Sequence, residues 1–180
     1  MVCNRCIKLV GDELNKLNHT VLSIELGEVE IQNQLGNSSI ETIRKMLIAN
    51  GFELIEDKKS QLIDKIKTTI IELIHYQKEK SGHINISNFL SKDIGYDYSY
   101  LSNSFSTVEG TTIEKYVINQ KIEKAKELLV YDELSLNEIS YQLGYSSVQH
   151  LSNQFKKITG LSPSHFKKLG DKKRKPLDEV

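Results

Sequence analysis

The 180-residue chain repeats itself. Ile94-Gly95-Tyr96, Leu101-Ser102-Asn103-x-Phe105 and Val108-x-Gly110 return in the same order as Leu143-Gly144-Tyr145, Leu151-Ser152-Asn153-x-Phe155 and Ile158-x-Gly160. The interval from glycine to leucine is one residue longer in the second copy, so the difference lies in the turn between two helices. Two units of this kind fit paired helix-turn-helix elements better than a solenoid. In each copy a short helix is expected to end at a glycine, where the backbone can turn left-handed without a side-chain clash. The next helix carries Leu101, Phe105 and Val108 in the first copy, and Val148, Leu151, Phe155 and Ile158 in the second. These apolar residues are expected to form an inner face.

The opposite face of the second helix holds Ser146, Gln149, His150, Asn153, Lys156 and Lys157, with no acid among them. Small polar groups at the start of such a helix can reach base edges in a major groove, and lysines further along can meet phosphates. The formal net charge is zero, yet the segment from Gly144 to Lys175 holds eight basic residues against Asp171 alone. The positive field therefore sits on the second motif, where neutralising phosphates would supply sequence-independent affinity. The run Lys172-Lys173-Arg174-Lys175 either adds to that field or is a solvated tail. Composition is that of an ordinary globular protein, no segment has the length and apolarity of a membrane helix, and no secretion signal opens the chain, so a cytoplasmic protein is expected. Two cysteines within the first six residues cannot frame the chain with disulfides.

The scaffold is readable too. Leu62, Ile63, Ile66, Ile70, Leu73 and Ile74 fall at helical spacing over 60–79, and the stripe serves core packing or a short coiled coil between two chains. Thr111 with Glu114 resembles a capping box opening a helix through Val117, Ile122, Ala125, Leu128 and Leu129, which would hold the two motifs at a fixed separation. Ser135 with Glu138 opens the second unit in the same way, and Ser162-Pro163 opens a last short helix with Phe166 inward. Tyr96 is expected to pack between helices; for Tyr98 packing and function are left open.

From about Ile84 to Leu169 the chain resembles the DNA-binding domain of the AraC/XylS family of bacterial transcription regulators. The resemblance is densest from Gly144-Tyr145-Ser146-Ser147 through Phe155-Lys156-Lys157-Ile158-Thr159-Gly160-Leu161-Ser162-Pro163. It implies seven helices, and two recognition helices entering successive major-groove segments about 34 Å apart. By the same resemblance Ser146, Gln149, His150 and Asn153, with Ser147 beside them, would face bases, and Lys156 and Lys157 match the family's basic pair. In the first unit the corresponding positions are Ser99, Tyr100 and Asn103, flanked by Tyr98 and Ser106. That unit departs from the pattern: its helix has no positive charge, and Asp97 sits in its turn. A smaller share of the affinity is expected from it. Double-stranded DNA and RNA polymerase are the partners implied, with a homodimer compatible, no membrane partner and no required cofactor.

Residues 1–57 read as a separate α+β unit of order αββαβ. A helical face of Ile7, Val10, Leu14 and Leu17 precedes an alternating stretch of Leu22, Ile24 and Leu26, a break at Gly27, Val29 and Ile31, a helix from about Ser39 to Asn50, and Phe52-Glu53-Leu54-Ile55. The unit resembles the ferredoxin-like heavy-metal-associated domains, whose Met-x-Cys-x-x-Cys loop binds a soft metal ion through two thiolates. In that fold a strand precedes the loop, whereas Cys3 is the third residue here, which suggests a start placed too late. Cys3 and Cys6 thus have three readings: a site for Cu(I) or a similar ion, a relic of the fold, or a redox pair. His19, His75, His83 and His165 show no ligand spacing with them and are expected at the surface or in caps.

The expected organisation is 1–57 as the ferredoxin-type domain, 58–80 as a connecting helix, 81–170 as an all-α tandem helix-turn-helix domain, and 171–180 as a basic-then-acidic tail. An enzyme finds no nucleophile–base pair, glycine-rich phosphate loop or carboxylate dyad at usable spacing. The two functions that remain are a sequence-specific DNA-reading regulator, and a metal- or thiol-handling interaction protein with a weakly DNA-binding helical module.

Overall fold

The computed structural model describes residues 1–32, 35–76, 84–169 and 177, arranged as two compact units, Met1–Thr68 and Thr69–Val180. His83, the run 172–175 and nearly all of the tail lie outside the described residues.

The first unit runs α1 (Asn4–Lys16), β1 (Val21–Glu25), β2 (Glu28–Ile31), α2 (Asn37–Ala49) and α3 (Lys58–Ile71), the last continuing into the second unit. Val10 and Leu14 of α1 meet Ile43 and Leu47 of α2, and Val21, Ile24, Val29, Ile31, Phe52 and Leu54 close around them. The strands pair antiparallel through a turn at Gly27, whose φ of 83° is a left-handed angle and whose missing side chain leaves room for the Asp64 carboxylate. Two of the expectations are corrected here. The pairing slips between Val21 and Ser23, and this irregularity breaks the alternation, so Leu22 is exposed while Val21 and Ile24 turn inward. The final strand of the αββαβ order does not form. Residues 52–55 lie outside both strands and anchor Phe52 and Leu54 in the cluster, without a ladder partner. The sheet among the described residues is therefore two-stranded, and the heavy-metal-associated resemblance gains no support from it.

The second unit begins with the end of α3 and a five-residue π-helical segment, Glu72–Tyr76, and continues as α4 (Ile86–Ile94), α5 (Tyr98–Glu109), α6 (Ile113–Tyr131), α7 (Leu136–Gln142), α8 (Val148–Thr159) and α9 (Pro163–Leu169). Ile66, Ile70 and Leu73 of the connecting stripe are buried within the chain. Helix α6 packs against α5, α7, α8 and α9. Its Ile122, Ala125 and Leu129 share a core with Ile139, Leu143, Leu151, Phe155 and Phe166. His75 is not a surface residue: it is half-buried, with Nε2 2.9 Å from Oε1 of the fully buried Gln120.

Helix ends follow the hydroxyls and glycines. Ser135 and Glu138 form the expected capping box, each side chain taking the other's backbone N–H. Ser135→Ala is expected to cost about 1 kcal/mol, read by denaturant unfolding of the full chain. At α6 the cap is Thr112 rather than Thr111: its hydroxyl accepts the Lys115 N–H, and Glu114 is engaged elsewhere. On α9, Ser162 accepts the His165 N–H and Phe166 is buried.

Candidate nucleic-acid interface

Both repeat glycines have positive φ, 82° at Gly95 and 66° at Gly144, and each closes the first helix of its pair. The second helices, α5 and α8, bury Leu101 and Phe105, and Leu151 and Phe155, completely. The inner face stops there. Val108 and Ile158, expected inward, are 45% and 42% exposed, because by the last turn each helix has passed the edge of its core.

In α8 the outer residues are held before any ligand arrives. Ser147 is the N-cap and accepts the His150 N–H. Ser146 Oγ lies 3.1 Å from His150 Nδ1, fixing the ring from one side, and the Tyr145 ring meets it edge-on at 5.3 Å. Gln149 Nε2 donates to Asn153 Oδ1 at 2.8 Å, one turn along. Ser146, Ser147, Gln149, His150, Asn153, Lys156 and Lys157 are all exposed and lie on one helix and its entry, with the two lysines in its last turn. No carboxylate belongs to α8.

The first copy is built alike with different chemistry. Tyr96 is not packed between helices as expected but 53% exposed, stacked on Tyr100 at 5.3 Å. Tyr98 is half-buried and donates its hydroxyl to Glu114 on α6, tying α5 to that helix. Burial and this bond push the Tyr98 hydroxyl well up, while the Tyr98 bond holds Glu114 below the usual carboxylate range. Ser99, Tyr100 and Asn103 are exposed and Ser106 is half-exposed, with no cation on α5.

Sequence reasoning missed the turn aromatics as supports. Tyr96 and Tyr145 occupy matching places in the repeat, and each leans on the residue just before the buried leucine, Tyr100 or His150. The repeat itself carried that signal. Lys121 of α6 was missed as well: its Nζ lies 5.4 Å from the Tyr145 ring centroid, and burial lowers its pKa.

Residues 90–169 match a family model described as a helix-turn-helix domain. Residues 90–169 form a helix-turn-helix domain with the AraC-type fold. Several curated relatives are named as HTH-type transcriptional regulators. The chain is 28% identical over 171 residues to the xylose operon regulatory protein of Escherichia coli K12, covering 88% of this chain and 43% of that protein. It is 28% identical over 126 residues to an uncharacterised HTH-type transcriptional regulator of Pseudoalteromonas carrageenovora, covering 69% of this chain and 73% of that one. The chain thus spans less than half the length of the xylose regulator. Among solved structures, the C-terminal domain of AraT, a response regulator from Geobacillus stearothermophilus, superposes with a TM-score of 0.53 at 23% identity, over 67% of this chain and 95% of that one. A transcriptional regulator from Chromobacterium violaceum, one of the AraC-type DNA-binding domain-containing proteins, gives 0.52 at 20% identity over 65% of this chain and 99% of that one. These two establish the fold of the AraC-type domain.

Among the described residues, no group of three or more His, Cys, Asp or Glu is placed to hold a metal ion, and no helix is long and apolar enough to cross a membrane.

Proposed function

We propose that the chain is a non-enzymatic, sequence-specific DNA-binding transcription regulator that reads two successive major-groove segments with α5 and α8. The observation that carries this reading is the outer face of α8, where exposed amide, imidazole and hydroxyl groups are ordered by one another and followed by two lysines, without a carboxylate on the helix. In this reading Ser146, Ser147, Gln149, His150 and Asn153 face base edges and Lys156 and Lys157 take phosphates. Tyr98, Ser99, Tyr100, Asn103 and Ser106 of the first motif add a weaker, uncharged contact, with Tyr100 suited to thymine methyl groups. Residues 81–170 do the reading, joined through 58–80 to a small sensory or interaction unit of residues 1–57. The regulator works in the cytoplasm beside RNA polymerase, as a monomer or a homodimer.

Fluorescence-anisotropy titrations against the DNA upstream of its own gene test this. Tight, salt-dependent binding is expected, and Lys156→Ala or Lys157→Ala should each weaken binding evenly across sequences and reduce the salt slope by about one. Absence of binding at low salt would favour the second reading, an interaction protein with a weakly DNA-binding module, which the uncharged α5 supports. For Cys3 and Cys6 the soft-metal reading is narrow. Two thiolates suit a two-coordinate Cu(I) ion, and with no third ligand grouped with them among the described residues they leave four-coordinate Zn(II) unserved.

A further inference from the structure

Cys3 and Cys6 stand at the start of α1, and nothing in DNA reading uses them. Cys3 is the N-cap and Cys6 lies in the first turn, with their sulfurs 3.4 Å apart, both thiols free and both partly exposed. A disulfide requires a separation of about 2.05 Å, so closure asks for a sulfur displacement of roughly 1.4 Å, within the reach of side-chain rotation at a helix end. We infer that Cys3 and Cys6 form a reversible dithiol–disulfide couple that exchanges with small disulfides, Cys3 attacking and Cys6 resolving.

The asymmetry between the two sulfurs sets the order. Cys3 sits ahead of the helix, facing the positive end of the backbone dipoles, whereas Cys6 is inside the first turn. The Cys3 thiolate attacks one sulfur of the small disulfide, whose S–S bond breaks and whose other half leaves as a thiolate that takes up a proton. Cys6 then gives its proton to water and attacks Cys3 Sγ in the mixed disulfide, expelling the second small thiol. The pair loses two electrons and two protons, and the small disulfide becomes two thiols.

The test uses the full chain, reduced, desalted and exposed to oxidised glutathione at pH 7, with intact mass and thiol titration as readouts. The wild type is expected to lose both thiols, drop in mass by two hydrogens and retain no glutathione. Cys6→Ser should instead accumulate one glutathione at Cys3, about tenfold above the wild type, because nothing resolves the adduct. Cys3→Ser should react more slowly than Cys6→Ser. Circular dichroism on each sample confirms that the helices persist. Thiols that stay free, a stable glutathione adduct on the wild type, or Cys3→Ser reacting as fast as Cys6→Ser would each overturn the couple. So would one equivalent of Cu(I), supplied as the cuprous ion with a competing chelator, if the metal-loaded pair forms readily while the metal-free pair resists glutathione.

Discussion

Phe155→Ala is expected to destabilise the Thr69–Val180 unit by about 3–5 kcal/mol. The ring is fully buried and meets Phe166 edge-on, with centroids 5.4 Å apart. Lys126 stands 6.0 Å above the other ring. The truncation leaves a cavity where α8 and α9 meet the core shared with α6 and α7, and those helices cannot all move in to fill it. Unfolding in urea, monitored by circular dichroism, gives the number. A loss below about 1 kcal/mol would mean that the ring does not pin α8, contrary to its zero exposure. Because the outer face of α8 depends on this anchoring, the variant should also bind DNA poorly, and that defect should shrink at low temperature as the folded fraction recovers.

Asn153→Ala should do the reverse, keeping stability within about 0.5 kcal/mol while reducing specific affinity. The residue is exposed and its side-chain oxygen accepts a hydrogen bond from Gln149. An amide that reads adenine contributes about 1–3 kcal/mol of discrimination, so a roughly ten- to hundredfold loss on the operator is expected, with little change on unrelated DNA. Gln149→Ala should act similarly, and the double variant should lose less than the product of the two, because each amide orients the other. Competition titrations with operator and scrambled duplex separate the cases. Equal loss on both duplexes would assign Asn153 to the phosphate backbone and withdraw its role in base reading.

Much of the helical unit was legible because local chemistry and global packing agree there. Gly95 and Gly144 end helices by left-handed turns, Ser135 and Glu138 cap reciprocally, and the leucine–phenylalanine pairs point inward. The misreadings arose where sequence offers equivalent choices. Thr111 and Thr112 carry the same hydroxyl, and only the path of the chain into α6 selects the second. Phe52 to Ile55 has a strand's composition, but whether an extended segment joins a sheet depends on a neighbouring edge that no local pattern reveals. Leu22 obeys period two until an irregular pairing between Val21 and Ser23 shifts it outward. Val108 and Ile158 obey helical spacing, yet the core ends before they do. At the candidate site the polar face was legible residue by residue, whereas the supporting geometry was not. The contacts of Tyr145 with His150 and Lys121 form between α8, the turn and α6, and spacing along one helix cannot register them.

If α5 and α8 read DNA as proposed, helix α6, 19 residues long and in contact with α5, α7, α8 and α9, also constrains the genome. With the two readers fastened to one rod, the base pairs under one cannot drift in phase relative to those under the other. Inserting or deleting a single base pair between the half-sites rotates one by roughly 34° about the duplex axis, given about 10.5 base pairs per turn. Promoters served by such a protein should therefore tolerate point substitutions in the intervening bases far better than changes in their number, and functional sites should differ in spacer composition while sharing one spacer length.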